Sequence, residues 1–126
     1  MLNTKKSDLR RARSGMLNLC PTSTGSATTI VEMYPELKGK LNGLAVRVTL
    51  LNVSLTNCVF EVETPTNVVE VNAVLKAASE SGSLKGILGY NDLPLFSTDY
   101  TNITYSCVID GLFTQVIDGT MIKIYA

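Results

Sequence analysis

The 126-residue chain contains no histidine. That removes the commonest general base, the commonest metal ligand, and any Cys–His or Ser–His nucleophilic pair. Cysteine is sparse: Cys20, Cys58 and Cys107 are widely spaced and form no CxxC. An odd count without paired spacing argues against a disulfide framework and against a zinc site, and favours a reducing compartment. Neither GxGxxG nor GxxxxGK followed by Ser or Thr occurs, so the glycine-rich phosphate loops of dinucleotide and P-loop folds are excluded. No apolar run approaches the roughly 20 residues that span a bilayer. The polar, basic start has no apolar h-region, which reads against a secretory signal, and the folded-looking pattern begins too early for a transit peptide. Without a secretory signal, the glycosylation-like triplets Asn52-Val53-Ser54 and Asn102-Ile103-Thr104 read as chance.

What is present is enough for a core. Hydrophobic residues make up 45% of the chain, and the mean hydropathy of +0.20 is slightly apolar for a soluble protein. The length fits one domain, or a part of a larger one that expects a covering partner. Net charge is zero but unevenly spread. Residues 1–13 carry five basic groups and one acid, a net of +4, while residues 14–126 carry six basic and ten acidic groups, a net of −4. Such asymmetry points to an anionic partner for the N-terminal segment: a nucleic acid, an acidic surface or a small phosphate.

Along the chain, residues 1–13 read as an irregular basic lead-in and residues 14–23 as loop. Ile30, Val31, Met33, Tyr34 and Leu37 have amphipathic helical spacing, with Thr24 or Ser26 as the cap and Pro35 and Gly39 marking the end. Leu44, Val46 and Val48 alternate with Ala45 and Arg47 as a strand, and residues 53–63 read as a second strand broken by Thr64-Pro65. Asn67 followed by Glu70 resembles a capping box. It opens a helix over Val68, Val71, Val74, Leu75 and Ala78 that Ser81-Gly82 stops. Leu84 to Leu88 fits a short strand or a turn, and residues 93–100 a strand. Residues 105–117 and 120–125 read as two strands joined by the Asp118-Gly119 turn signal. The interleaving predicts an α+β fold with a mixed, largely antiparallel sheet and helices on one face.

Three features carry chemistry. Thr24-Gly25 opens a helix, where unpaired amides and the positive dipole end attract anions and glycine admits a ligand to the backbone; an ordinary helix cap fits the same residues. Arg47 lies inside an apolar alternation, either as a strand arginine on a solvated face or as a planar fork aimed at a phosphate or carboxylate. Arg10, Arg11 and Arg13 form either a nucleic-acid patch without interleaved aromatics or a solvated basic turn. The cysteines read as structural, because a reactive thiolate needs a base or positive field beside it.

The ordered stretches Asp8-Leu9-Arg10-Arg11-Ala12-Arg13, Pro21-Thr22-Ser23-Thr24-Gly25 and Pro35-Glu36-Leu37-Lys38-Gly39-Lys40-Leu41-Asn42-Gly43 are followed by Arg47-Val48 and Asn52-Val53-Ser54. Further on come Glu70-Val71-Asn72, Leu84-Lys85-Gly86-Ile87-Leu88, Pro94-Leu95, Ile109-Asp110 and Met121-Ile122-Lys123. Together they resemble the catalytic domain of phosphorylating glyceraldehyde-3-phosphate dehydrogenase, most closely the bacterial, cyanobacterial and plastid type. The resemblance covers nearly the whole chain. It implies an oxidoreductase of glycolysis or the Calvin cycle. There an aldehyde is oxidised through a cysteine thioester, a histidine acts as base, and hydride passes to NAD or NADP. By position, Thr24 and Gly25 match the family's attacking-phosphate site. Arg47 matches the strand arginine shared by its two anion sites, Arg11 the arginine of the bordering loop, and Arg13 is a neighbouring candidate.

The departures are as informative. The family's nucleophile stretch, its histidine and its Rossmann domain would precede Met1, and none of the three cysteines stands at the nucleophile's place. The family's nicotinamide-side segment and final helix would follow Ala126. Thr49-Leu50-Leu51 replaces a usual Pro-Thr-Pro, and Asn57 stands where aspartate is common. The expectation is therefore residues 1–126 as a partial catalytic (C-terminal) domain that keeps phosphate-binding residues but has no catalytic residue. It binds no dinucleotide or metal by itself and is inactive alone. Expected partners are glyceraldehyde 3-phosphate, inorganic phosphate and full-length subunits in a homo- or hetero-oligomer, without nucleic acid or membrane. The expected compartment is the cytoplasm or plastid stroma. Alternatives are a phosphate-binding or subunit-association module, or a non-functional truncated gene product.

Overall fold

The computed structural model describes residues 12–126, and the chain folds as two units, Met1–Leu51 and Asn52–Ala126. In the first, strand β1 (Cys20–Ser23) leads into helix α1 (Ser26–Met33), a single 3-10 turn (Pro35–Leu37), and strand β2 (Leu44–Arg47). Pro35 explains where α1 stops, because the residue before a proline is pushed out of helical geometry; Tyr34 takes φ −128° and ψ 79°. Gly39, at φ 79°, supplies the left-handed residue that turns the chain towards β2. β1 and β2 pair antiparallel, with Cys20 opposite Arg47, Thr22 opposite Ala45 and Ser23 opposite Leu44. β1 corrects the expectation of loop through residue 23. Pro21 is tolerated because each strand of a two-stranded ladder is an edge, where a missing amide costs nothing.

The second unit contains the buried core. Strand β3 (Asn57–Glu61) precedes helix α2 (Val68–Glu80). Then come β4 (Leu88–Asn91), β5 (Cys107–Asp110), β6 (Gln115–Ile117) and β7 (Met121–Tyr125). β7 is central, antiparallel to both β3 and β6. The β6–β7 loop is the three residues Asp118, Gly119 and Thr120, between the paired Ile117 and Met121; its first two take φ of 52° and 74°, left-handed values that aspartate and glycine tolerate. Alternation along β7 sends Ile122 and Ile124 inward. Val71, from α2, and Ile109, from β5, complete the buried apolar cluster, and Leu75 packs on its border. Val71, Leu75 and Ala78 thus form the inward stripe of α2, whereas Val68 and Val74 stand outside it, Val74 69% exposed.

The α+β class holds, with three antiparallel pairings and one parallel pairing. Among the described residues the strands form three separate ladders rather than one sheet. The long strand expected over 53–63 shrinks to Asn57–Glu61. Val53 sits at φ 68°, a left-handed conformation that a β-branched residue adopts rarely and a strand does not contain. Residues 93–100 are not a strand. The Asp99 carboxylate accepts from the Phe96 amide at 2.7 Å and closes a 3-10 turn, Ser97–Tyr100. The strand expected over 105–117 divides at another 3-10 turn (Gly111–Phe113) into β5 and β6. β5 pairs parallel with β4, which shares only Leu88 with the strand or turn expected over Leu84–Leu88.

At the start of α2, the Asn67 side chain accepts from the Glu70 amide at 3.0 Å. The box is not reciprocal, because the Glu70 carboxylate accepts from the Thr66 hydroxyl at 2.9 Å instead. Asn67→Ala is expected to cost about 1 kcal/mol. Chemical denaturation should give a lower midpoint with an unchanged slope; an unchanged midpoint would remove Asn67 as the cap.

Candidate functional site

Four of the five residues singled out in the sequence lie in the described part of the first unit; Arg11 lies outside the described residues. Thr24 and Gly25 form the junction of β1 and α1. The expected cap by Thr24 or Ser26 is not what forms. Gly25 occupies the cap position, with φ −78° and ψ −9°, and no side chain bonds to the helix from it. Thr24 stands one residue earlier, and its Oγ1 accepts from the Ser26 amide at 3.2 Å while bonding the Ser26 hydroxyl at 2.9 Å. No acidic residue lies in the first turn of α1 to compete with an anion. A Cβ on Gly25 would meet nothing within 4 Å, so the backbone there faces open space and a ligand can approach it.

Arg47 is the last residue of β2 and is exposed. Side chains of directly opposed strand residues share a face, and the face alternates along each strand. Cys20, Thr22, Ala45 and Arg47 therefore lie on one side of the ladder, and Pro21, Ser23, Leu44 and Val46 on the other. Thr24 continues the first set: a Cβ on Gly43, its opposite number, would touch the Thr24 methyl at 3.9 Å. Thr24 and Arg47 thus share a face but stand four ladder positions apart, about 14 Å between Cα atoms at strand spacing. Arg13 is exposed in the loop before β1. The Thr49 hydroxyl donates to the Gly15 carbonyl at 2.6 Å, which ties the loop following Arg13 to the chain just beyond Arg47. This bond comes from the threonine that departs from the resembled family's proline.

One residue of this face escapes a motif-based reading: Thr22 lies midway between Thr24 and Arg47. Strand parity was the signal that could have found Thr22, but it requires knowing that β1 exists. Elsewhere, the cation of Lys76 is engaged: it lies 3.7 Å from the Asp92 carboxylate and 5.7 Å from the Tyr90 ring centre.

The two core thiols are poor nucleophiles. Burial pushes the Cys58 thiol up from its ordinary range. Burial, and then the neighbouring Cys58, does the same to Cys107. Both pack against the apolar cluster. Among the described residues no group of three or more His, Cys, Asp or Glu could hold a metal ion. No helix among them is long and apolar enough to cross a membrane.

The architecture defines a class first: an α+β domain whose small antiparallel ladder ends at a helix N-terminus. Sequence comparison identifies the family. The sequence model of the glyceraldehyde 3-phosphate dehydrogenase C-terminal domain matches residues 1–126, and the chain belongs to that family. It is 60% identical over 126 residues to glyceraldehyde-3-phosphate dehydrogenase 3 of Nostoc sp., covering 100% of this chain and 37% of the relative. It is 52% identical over 124 residues to glyceraldehyde-3-phosphate dehydrogenase 1 of Bacillus cereus and to glyceraldehyde-3-phosphate dehydrogenase of Geobacillus stearothermophilus, with 98% of this chain and 37% of each relative covered. The chain therefore spans 37% of the length of the curated relatives it matches.

Proposed function

We propose that this chain is the oxyanion-gripping part of a glyceraldehyde-3-phosphate dehydrogenase catalytic domain, and that it holds phosphate without carrying out the oxidation itself. The observation that carries this is the common face of the β1–β2 ladder, with Thr24 and Gly25 at the α1 terminus and Arg47 at the far end. The amides of the first turn of α1 and the dipole behind them supply one set of donors. The Arg47 guanidinium supplies a charged, bidentate fork. The family resemblance adds Arg11, with Arg13 as a further candidate, to the grip; the Thr49–Gly15 bond ties the loop just after Arg13 to the chain just beyond Arg47. The anion is inorganic phosphate or the phosphate of glyceraldehyde 3-phosphate, in glycolysis or the Calvin cycle.

The oxidation needs groups this chain lacks. It contains no histidine, and its two core thiols are held protonated by burial. NAD or NADP, which supplies a hydride acceptor when bound to the longer enzyme, does not fit these residues. A dinucleotide fold needs parallel strands joined through a helix with a glycine-rich turn. Here β1 runs into α1 but pairs antiparallel with β2, and the parallel pair β4 and β5 is joined through a 3-10 turn.

A second reading, association with longer subunits of the same family, is favoured by the β4–β5 ladder. Parallel strands normally lie inside larger covered sheets, and this two-stranded pair leaves an open edge on each side among the described residues. That reading predicts co-elution with a full-length relative, and separate elution would contradict it.

Mixing the chain with glyceraldehyde 3-phosphate, phosphate and NAD or NADP should yield no reduced dinucleotide. Inorganic phosphate should raise the melting temperature, while chloride at equal ionic strength should not, since a ligand of the native state stabilises by mass action. Turnover would overturn the non-catalytic assignment, and absence of phosphate protection would overturn the anion grip.

A further inference from the structure

We infer that Asn42-Gly43 is a self-modification site, where Asn42 loses its side-chain amide through a cyclic imide and the β1–β2 ladder is loosened as a result. The site is independent of the anion grip proposed above.

Asn42 is the only asparagine in the chain that glycine follows. Both residues lie outside helix and strand, and both are exposed. The Gly43 amide is not part of the ladder, whose terminal pair is Ser23 with Leu44. It donates instead to Oδ1 of Asn42 at 2.8 Å. The carboxamide carbon, Cγ, is one bond beyond that oxygen, so the attacking nitrogen and its target already face each other. Glycine carries no Cβ to hinder the approach. Asn52 provides the contrast within the same chain. Its Oδ1 accepts from the Val53 amide at the same 2.8 Å, but the branched Cβ of valine crowds the nitrogen and stiffens the backbone around it.

The step conserves its atoms. Hydroxide takes the Gly43 amide proton, and the nitrogen bonds to Asn42 Cγ. The Cγ–Nδ2 bond breaks, and Nδ2 leaves as ammonia after taking a proton from water. Water then opens the imide at one carbonyl to give aspartate, or at the other to give isoaspartate. Either product takes the net charge from zero to −1. In isoaspartate the main chain runs through the side-chain carbons and gains one atom. That atom enters just before Leu44 and displaces β2 against β1. With four opposed pairs, the ladder has few other bonds to hold its register.

The test incubates the whole chain at mildly alkaline pH. Trypsin then releases Leu41–Arg47, since Lys40 and Arg47 bound it. That peptide should yield two new forms, each with the mass of an acid in place of an amide, and an isoaspartyl methyltransferase should label one of them. The rate should rise with pH, because the attacking nitrogen must lose its proton. Asn52 should keep its amide over the same interval. Gly43→Ala should slow the change severalfold. The fold accepts that variant, because Gly43 is not left-handed and a Cβ there would meet Ala27 and Thr24 at 3.8 and 3.9 Å, ordinary contact distances. In the modified chain the β2 amides should exchange with solvent faster than in the parent. An Asn42 that keeps its amide as long as Asn52 does, or a G43A chain that changes as fast as its parent, overturns the site. Equal exchange of β2 in the two forms overturns the loosening of the ladder.

Discussion

Arg47→Ala is expected to raise the dissociation constant for inorganic phosphate by roughly ten- to a hundredfold. A hydrogen bond to a charged group is worth about 1.5–3 kcal/mol, and each 1.4 kcal/mol is about a factor of ten in affinity. The fold should survive, because Arg47 is exposed at the end of β2, and exposed substitutions away from caps and core change stability by only about 0.5 kcal/mol. Arg47→Lys separates two contributions. It keeps the charge but loses the planar two-donor fork, so it should recover only part of the affinity. Binding to the parent chain should weaken as salt rises, since the anion and the guanidinium meet near solvent. An R47A chain that binds phosphate as well as its parent would leave Arg47 as a strand residue on a solvated face.

The second large effect concerns the core of the Asn52–Ala126 unit. Ile124→Ala should destabilise the chain by about 2–5 kcal/mol, the cost of removing buried aliphatic volume that the surroundings cannot refill. Ile124 is 8% exposed and lies opposite Cys58 on β3. Only Val71, Ile109 and Ile122 join it as buried apolar residues among those described. A domain's net stability is about 5–15 kcal/mol, so a core this small has little to lose. Its loss should also open Cys58 and Cys107 to alkylation, because both thiols border the same cluster. The readout is a thermal melt with a parallel thiol-labelling rate. Unchanged stability with unchanged labelling would mean that the four-residue cluster is not what holds this unit together.

Much of this fold was legible in the sequence, for local reasons. α2 announces itself through Asn67, the Val71–Leu75–Ala78 stripe and the Ser81-Gly82 stop, all of which act within a few residues. The β6–β7 hairpin is written in Asp118-Gly119, because both residues take the positive φ that this three-residue loop uses and that aspartate and glycine tolerate. What was not legible depends on partners distant in sequence. β4 is a strand because it pairs with β5, nearly twenty residues later, and Leu88-Gly89-Tyr90-Asn91 has no alternation to betray it. Residues 93–100 have strand-like composition, yet Asp99 captures the Phe96 amide and bends them into a turn. Val53 takes a conformation that no propensity favours.

The site divides in the same way. Thr24 and Gly25 can be found from the sequence because a helix start carries its own signature. Arg47 was visible as a charge inside an apolar run. Its relation to Thr24, on one face and four positions away, needed the β1–β2 register, as did every statement about Thr22. The cap was misassigned by one residue: hydroxyls at Thr24 and Ser26 bond each other rather than the helix interior, and Gly25 takes the cap position between them.

The most direct measurement is a phosphate titration of the isotope-labelled chain followed by backbone amide and arginine side-chain resonances. The amides of Gly25, Ser26 and Ala27 and the Arg47 guanidinium should shift together on one saturable curve, with chloride producing no such change. Phosphate shifts that skip the β1–α1 junction and Arg47, or that never saturate, would contradict an oxyanion held at the end of this ladder.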